Sequence, residues 1–223
     1  MQERTMIITA GGIGKRMGSE IPKQFIEVCG KPILQHTLEA FFSFDNHMQI
    51  ILTLPEDWID YWKETLEKQA CTIPHLIVFG GKERYHSIKN ALEHAKGSVI
   101  GVHDGVRPLV SQQTIQSCFD ALLTENSAIP VLKPKESIRK LTQESSQKED
   151  RELIRLVQTP QCFREEVLRK AYEKPFHMGV TDDAGLVEEA GFSIFLTEGN
   201  EENIKITTPF DLEIATYLLS KKS

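Results

Sequence analysis

A glycine-rich segment near the amino terminus carries the residue types of a phosphate-binding loop. The glycines Gly11, Gly12 and Gly14 follow an apolar run, and the cations Lys15 and Arg16 stand beside the last of them. Glycines just after a strand let the backbone approach a phosphate group with its amide hydrogens facing the anion. Two cations in the same loop suit several anionic oxygens. The spacing therefore predicts a triphosphate-binding loop.

Two common phosphate-binding motifs do not fit this segment. A dinucleotide fingerprint needs Gly-x-Gly-x-x-Gly, but Met17 stands at the third glycine's place when counted from Gly12. A Walker loop needs Ser or Thr after Gly-Lys, and Arg16 stands there instead. Pro22-Lys23-Gln24 adds another cation a few residues on. A glycine-rich turn without a ligand is the remaining structural alternative.

Further polar motifs follow along the chain. Asp104 comes after an apolar run, at the sheet edge where open α/β folds bind ligands, so it could hold a metal or a hydroxyl of ribose or substrate. A turn aspartate before Gly105 is the alternative, and Arg107 could pair with it or contact a phosphate. Lys205 lies in a short apolar run and needs an anionic partner. Thr181 to Asp183 could form a helix cap and nothing more.

The elements that must position these residues alternate along the chain. Short apolar runs predict strands over Met6–Ala10, Ile50–Leu54, Leu76–Phe79, Val99–Val102, Ala128–Leu132, Ser193–Leu196 and Asn203–Ile206. Longer amphipathic segments predict helices over Pro32–Phe44, Glu56–Gln69, Ser87–Ala95, Ser111–Leu123, Arg164–Tyr172, Asp182–Ala190 and Pro209–Ser220. This alternation predicts an α/β fold with a mostly parallel sheet and helices on both faces.

The alternation stops at residues 133–157, which we interpret as an arm on a single domain spanning residues 1–223. Two thin strands, Ser137–Leu141 and Leu153–Leu156, are expected to flank a polar loop. A disordered linker is the alternative. The apolar residues of this segment are expected to be buried, for instance against a second subunit; they are Ile138, Leu141, Leu153, Ile154 and Leu156.

Composition excludes several classes of protein. The chain has 223 residues and a formal net charge of −6, which argues against a protein that mainly grips nucleic acid. Four widely spaced cysteines form no zinc-ligand pair. The first residues are charged and the apolar run behind them is short, so we expect no signal peptide, no membrane span and a cytoplasmic protein.

The motifs together resemble one family of enzymes. Ala10-Gly-Gly-Ile-Gly-Lys-Arg-Met17 followed by Pro22-Lys23-Gln24 is similar to the signature of sugar-nucleotide pyrophosphorylases and cytidylyltransferases. The Pro-Lys-Gln subset resembles the 2-C-methyl-D-erythritol 4-phosphate cytidylyltransferase family. Five further motifs match in order: Gly80-Gly81-Lys-Glu-Arg84 with Ser87, His103-Asp-Gly-Val-Arg-Pro108, Thr159-Pro-Gln161, Thr181-Asp-Asp-Ala184 and Asn203-Ile-Lys-Ile-Thr207. Each is weak alone, but together they cover almost the whole chain.

The resemblance implies a Rossmann-like, nucleotide-diphospho-sugar transferase-like fold and a reaction between CTP and a polyol phosphate with Mg²⁺. It places Arg16 and Lys23 at the pentacovalent transition state, and Lys205 and Arg151 at the acceptor phosphate. It implies a homodimer with arm exchange, in which Arg151 reaches across from the neighbouring subunit. The implied substrate-binding residues are Ala10, Gly11, Gly12, Gly14, Gly80, Gly81, Ser87, Asp104, Gly105, Arg107, Ser137 and Thr181, with Asp104 also the candidate metal ligand.

The sequence departs from the family pattern at two places, and other functions stay open. Ala10-Gly11-Gly12 replaces the more usual Ala-Ala-Gly, and Glu136-Ser-Ile-Arg139 replaces Asp-Thr-hydrophobic-Lys behind an apparent two-residue insertion. The second change bears on the identity of the acceptor. The alternatives are a ribitol-5-phosphate cytidylyltransferase, a nucleotide-dependent oxidoreductase and a non-catalytic nucleotide-binding regulator.

Overall fold

The structure is a computed structural model that describes residues 3–12 and 21–221. Its strands are β1 (Arg4–Thr9), β2 (Glu27–Val28), β3 (Lys31–Pro32), β4 (Gln49–Leu54), β5 (Leu76–Phe79), β6 (Val99–Asp104), β7 (Ser127–Leu132), β8 (Ile138–Leu141), β9 (Ser146–Glu149), β10 (Leu156–Val157), β11 (Gln161–Arg164) and β12 (Phe195–Glu198). Its helices are α1 (Ile33–Phe44), α2 (Ile59–Lys68), α3 (Arg84–Leu92), α4 (Gln112–Ala121), α5 (Glu165–Ala171), α6 (Asp183–Glu189) and α7 (Pro209–Ser220).

The main sheet confirms the predicted α/β class. Its strand order is β10-β7-β11-β6-β1-β4-β5, and β12 pairs with β7. The pairs β1–β4, β1–β6, β4–β5 and β7–β12 are parallel, whereas β10 and β11 run antiparallel to their neighbours. The sheet is therefore mostly parallel but mixed.

Helices cover both faces of this sheet, which explains why its strands are apolar on successive residues. Met6 and Ile8 of β1 pack in a cluster with residues of α1, α2 and α4. Ile7 points the other way, into a cluster with residues of α3, α5 and α6. Successive side chains of a strand point to opposite faces, so a strand covered on both sides needs apolar residues at every position.

One predicted strand is absent from the structure, and one strand of the structure was not predicted. Asn203–Ile206 is not a strand, because the Asn203 amide donates to Asn200 and the Ile206 amide donates to Val106, outside any ladder. Strand β11, which lies between β6 and β7 in the sheet, was not predicted from the sequence. It follows the arm in the chain and pairs with β6, the strand that ends at Asp104.

The arm contains a hairpin, but with a different second strand from the one predicted. Strand β8 pairs antiparallel with β9, with Ile138 opposite Glu149, so the polar stretch itself forms the second strand. Leu153 instead ends a 3-10 turn, and Leu156 begins β10 on the main sheet. The hairpin has no apolar face of its own, because Leu141 is 83% exposed.

Within the part of the chain that the structure describes, none of the helices combines the length and the apolar character needed to cross a bilayer.

Candidate active site

A cavity of about 370 Å³ lies next to the carboxyl ends of β1 and β6. Ligands of open α/β sheets bind at this edge. Glycines, cations and one buried carboxylate share its wall. The lining residues are Thr9, Ala10, Gly11, Gly12, Lys23, Gln24, Gly81, Lys82, Glu83, Arg84, Ser87, Asp104, Val106, Lys205 and Thr207. The cavity thus brings together eight of the sixteen site residues predicted from the sequence, namely Ala10, Gly11, Gly12, Lys23, Gly81, Ser87, Asp104 and Lys205.

The two glycine-rich loops meet in this cavity. A Cβ atom on Gly11 would lie 4.0 Å from the Ser87 hydroxyl, which places the first loop opposite the second. The Gly81 amide donates to Ser87 Oγ at 2.9 Å, and this hydroxyl donates to Glu83 O at 3.2 Å. Gly81 is required for steric reasons, because a Cβ there would lie 2.2 Å from the His86 Cβ. The second loop is therefore held in shape by hydrogen bonds between its own residues.

Lys23 enters the cavity from a 3-10 turn over Lys23–Phe25. The buried Gln24 amide donates to Ala10 O at 2.7 Å and ties this turn to the first loop. Phe25 anchors the turn from behind, since its ring lies 5.6 Å from that of Trp58 and 5.9 Å from that of Trp62. Lys23 Nζ donates to Ile206 O at 3.0 Å. Its charge is thereby fixed between the first loop and the segment that carries Lys205.

Asp104 lies at the centre of a cluster of cations. Its Oδ2 is 3.1 Å from Arg107 Nε and 3.2 Å from Lys205 Nζ, and its Oδ1 is 3.8 Å from Arg84 Nε. Burial by itself would raise the pKa of this carboxyl, but Arg84, Lys205 and Arg107 hold it well below its usual range. In this structure the anionic partner of Lys205 is Asp104, with which Arg107 also pairs, and the predicted contact of Lys205 with a substrate phosphate stays a prediction.

His103 supports Asp104 from the core and stays neutral. Burial lowers the pKa of His103 to about 4 despite its contacts with Arg107 O and Asp104. Its Nε2 lies 3.1 Å from Arg107 O and its Nδ1 lies 3.0 Å from the Thr159 hydroxyl. The same hydroxyl accepts from the Asp104 amide at 3.2 Å. His103 therefore packs beside Asp104 and fixes the backbone from which the carboxylate projects.

The sequence analysis named Arg84, the first residue of α3, in a motif but gave it no role in the site. Its guanidinium lines the cavity and donates to Asp183 Oδ2 at 2.6 Å. One signal was available: a cation in the first turn of a helix opposes the helix dipole, which favours acidic residues there. Such a residue calls for an anionic partner elsewhere, and Thr181-Asp182-Asp183-Ala184 offered two carboxylates.

Several predicted site residues lie elsewhere. Gly14 and Arg16 fall outside the described residues. Gly80 precedes the loop and donates its amide to Leu54 O, whereas Gly105 is buried, with Thr9 O 3.0 Å from where a Cβ would stand. Thr181 is exposed directly before the α6 cap. Their roles stay predictions.

Two more predicted residues belong to the arm. Ser137 is exposed just before β8. The Arg151 guanidinium is half exposed and donates to Lys135 O at 2.8 Å. Neither contributes to the cavity of its own chain as the structure describes it.

The described residues do not form a protein-built metal site. Across residues 3–12 and 21–221, no three His, Cys, Asp or Glu side chains come together in a way that could hold a metal ion. Both oxygens of Asp104 already face cations. This donor set does not fit a resident Mg²⁺, which prefers several oxygen ligands.

Comparisons with known proteins agree with this geometry. Residues 5–221 match the family model described as IspD: 2-C-methyl-D-erythritol 4-phosphate cytidylyltransferase. The chain is 51% identical over 217 residues to the protein of that name from Bacteroides fragilis, covering 97% of this chain and 99% of the relative. It is 42% identical over 221 residues to the one from Porphyromonas gingivalis, covering 98% and 99%.

Solved structures show the same likeness in three dimensions. The crystal structure of 4-diphosphocytidyl-2C-methyl-D-erythritol synthase from Anaerococcus prevotii has a TM-score of 0.85 and 29% identity, with 98% of this chain and 96% of that chain covered. The 2-C-methyl-D-erythritol 4-phosphate cytidylyltransferase of Thermus thermophilus has a TM-score of 0.79 at 29% identity, with 99% and 100% covered. With glycine loops, cations and Asp104 in one cavity and a family match over nearly its whole length, this chain belongs to the IspD family of 2-C-methyl-D-erythritol 4-phosphate cytidylyltransferases.

Proposed function

We propose that this chain joins the CMP part of CTP to 2-C-methyl-D-erythritol 4-phosphate and releases pyrophosphate, a step of isoprenoid precursor synthesis by the non-mevalonate route. The observation that carries this proposal is the cavity itself. It is lined by Lys23 and residues of the two glycine-rich loops, and also by Asp104 and Lys205, with Arg107 paired to Asp104. We assign the half with the loops to the nucleotide and the half with Asp104 to a phosphorylated polyol.

The chemistry needs positioning and charge more than proton transfer. The acceptor phosphate is already an anion at neutral pH and attacks the α-phosphorus of CTP, while the bond from this phosphorus to the pyrophosphate oxygen breaks. The difficulty is to bring two anions together and to stabilise the charge that develops on the leaving group. Lys23, fixed between both halves of the cavity, is placed to do this at the α-phosphate.

Lys205 and Asp104 are assigned to the acceptor. The Lys205 side chain is 45% exposed, so its Nζ can turn from Asp104 to a phosphate group. Asp104 then remains available to accept hydrogen bonds from polyol hydroxyls, with Arg107 holding its Oδ2. Exchange of Lys205 between the two anions costs little, because it replaces one ion pair by another.

Mg²⁺ is proposed to bind together with CTP. Because the described donor set does not build a metal site, the ion is expected to arrive on the triphosphate oxygens, where it neutralises charge. Mg²⁺ commonly binds through substrate phosphates and waters in this way. On this proposal Asp104 recognises the acceptor, and its predicted role as a metal ligand is not needed.

The arm is proposed to exchange between the two chains of a homodimer. Leu141 and Leu153 are 83% and 81% exposed, and Leu156 is 50% exposed, so the arm presents apolar surface that a single chain leaves in water. Arg151 lies on the same arm, outside its own cavity. A partner's arm that covers this surface would bring Arg151 to the acceptor phosphate.

Mixed dimers test this arrangement. Lys23→Ala and Arg151→Ala proteins, each poorly active, should regain activity when mixed, because a hybrid dimer contains one site with both native residues. The measurement is pyrophosphate release after subunit exchange, which differently tagged subunits report independently. Exchange without any regained activity would place both residues in one chain's site and contradict the proposal.

One substrate assay tests the reaction. Purified protein with CTP and Mg²⁺ is offered either 2-C-methyl-D-erythritol 4-phosphate or ribitol 5-phosphate, and pyrophosphate release is measured. We expect release with the first acceptor and dependence on Mg²⁺. Release only with ribitol 5-phosphate would assign the other acceptor, whereas release with neither would overturn the function and favour a non-catalytic regulator.

We also propose a cytoplasmic location, which fits the free thiols of Cys29, Cys71, Cys118 and Cys162.

A further inference from the structure

Arg84 joins two carboxylates that belong to different parts of the fold. Its Nη2 donates to Asp183 Oδ2 at 2.6 Å, and its Nε lies 3.8 Å from Asp104 Oδ1. Arg84 begins α3 directly after the second glycine loop, Asp104 ends β6, and Asp183 begins α6. One guanidinium therefore links the nucleotide loop, the acceptor carboxylate and a helix behind the cavity.

Asp183 is built as a fixed anchor for this guanidinium. It has no exposed surface, and its second carboxylate oxygen, Oδ1, accepts from the Tyr172 hydroxyl at 2.6 Å. Its backbone amide donates to Gln161 Oε1 of β11 at 3.0 Å. A buried carboxylate is stable only when it is paired and hydrogen-bonded, so Arg84 is strongly held at this place.

The nucleotide loop does not need the Arg84 side chain for its own shape. Gly81 and Ser87 are joined by a hydrogen bond, and the Ser87 hydroxyl closes on Glu83 O. The Arg84 guanidinium extends away from these bonds towards Asp104 and keeps 28% of its side chain exposed. Its contacts therefore serve the acceptor half of the cavity.

Resting on the proposed function, we propose that Arg84 and Asp183 are a positioning pair for the acceptor. Asp183 fixes Arg84, whose Nε forms an ion pair with Asp104 Oδ1 at 3.8 Å, while Arg107 Nε donates to Oδ2 at 3.1 Å. The Asp104 carboxylate thus has a cation on each side, which favours the orientation that polyol hydroxyls meet. Without Arg84 at this place the carboxylate can rotate towards Lys205 and Arg107, and this orientation is lost.

The test is a pair of acidic residues of α6, each replaced by its amide. Asp183→Asn removes the charge that anchors Arg84, whereas Glu188→Gln removes an exposed charge near the other end of the same helix. We expect Asp183→Asn to raise KM for 2-C-methyl-D-erythritol 4-phosphate about tenfold or more, with KM for CTP changed less than about threefold. Glu188→Gln should leave both constants near those of the unmodified protein.

The split between the two constants separates positioning from simple loss of structure. A partly unfolded enzyme would lose kcat through a smaller active fraction and keep both KM values. Arg84→Lys, which keeps the charge but not the planar fork, supplies the second variant if Asp183→Asn folds poorly, and should give a smaller rise of the same acceptor KM. An unchanged acceptor KM in the folded variants, or an equal rise of both KM values, would overturn the proposal.

A binding measurement keeps this result distinct from the proposed function. Calorimetry with the α,β-methylene analogue of CTP reports nucleotide binding without turnover, and the acceptor is then titrated into this complex. The affinity for the analogue should be the same in the unmodified and Asp183→Asn proteins, with the acceptor bound about tenfold more weakly in the variant. Absence of turnover in the unmodified protein would refute the reaction; equal acceptor affinities would refute only the positioning pair.

Discussion

The cavity and the arm use charge in opposite ways. In the cavity, Asp104 is 7% exposed and meets cations that come from three separate segments of the chain. In the arm, Lys133 and Glu152 form an ion pair in which both side chains are more than half exposed, and Arg151 lies beside Glu152. The fold buries the Asp104 carboxylate and brings its cationic partners to it, whereas the arm charges lie in water.

Apolar residues show the reverse difference between these two regions. The strands behind the cavity are buried on both faces, and Met6, Ile7 and Ile8 have no exposure. On the arm, Leu141 and Leu153 are mostly exposed. The chain therefore completes the described wall of its cavity by itself but leaves the arm surface incomplete, which is the physical basis for expecting a second chain there.

The largest effect is expected from a lysine of the cavity. Lys23→Ala should reduce turnover by about 10²–10³, the usual cost of removing one preorganised group that stabilises charge in a transition state. The exposed Lys63, which pairs with Asp60 one helical turn away, supplies the control, and Lys63→Ala should be fully active. Steady-state pyrophosphate release measures both, and near-normal turnover of the Lys23 variant would remove it from the mechanism.

A matched pair of carboxylates tests the contrast in burial directly. Asp104→Asn removes the anion that Arg107 and Lys205 share, while Arg84 keeps Asp183, and it should lower the free energy of unfolding by about 3 kcal/mol. Glu152→Gln removes an exposed charge from the arm and should lower it by less than about 0.5 kcal/mol. Urea unfolding measures both values. Similar costs for the two variants would contradict the distinction drawn between cavity and arm.

The neutral His103 makes stability depend on pH. Its pKa is about 4 in the folded protein, below the ordinary value of 6.5, so the unfolded chain binds more protons between these values. Stability should therefore rise with pH across this window and fall by roughly 2–3 kcal/mol from pH 7 to pH 4 through this group. His103→Gln should flatten the dependence of the free energy of unfolding on pH, measured by urea unfolding at several pH values. An unaltered dependence would mean that other groups cause it.

The smallest effect on the folded chain is expected on the arm. Leu153→Ser should leave the free energy of unfolding of a single chain within about 0.5 kcal/mol, because the side chain is already exposed. It should nevertheless weaken self-association. Leu123→Ser is the control, since Leu123 is 67% exposed but lies after α4, away from the arm. Sedimentation measures the dimer fraction, and equal fractions in the two variants would count against the arm as the interface.

Much of the fold could be predicted because burial on both faces leaves a clear pattern. Strands such as β4 are apolar at successive positions, and this pattern is visible in the sequence. The arm hairpin has no buried face, so nothing in its residues distinguished Ser146–Glu149 from a loop. Asn203–Ile206 shows the opposite error, because its apolar residues are buried without joining a ladder.

Part of the candidate site could be located from local motifs. The glycine-rich loops and Lys23, which those motifs name, line one cavity, whereas their roles stay predictions. The contact of Arg84 with Asp183 could not be inferred, because it spans 99 positions in the sequence and depends on how α3 and α6 pack against the same sheet face. Long-range pairing of buried charges is a property of the fold that no short motif contains.

The attachment of the arm has a consequence for how this protein can change over evolution. The arm leaves the sheet at β7 and returns through β10 and β11, both of which pair with β7. Insertions between these points, such as the apparent one near Lys133–Glu136, alter the reach of the arm without shifting the register of β6. The arm can therefore vary in length between relatives while the sheet edge that carries Asp104 stays the same, and an engineer can graft arms between relatives on the same basis.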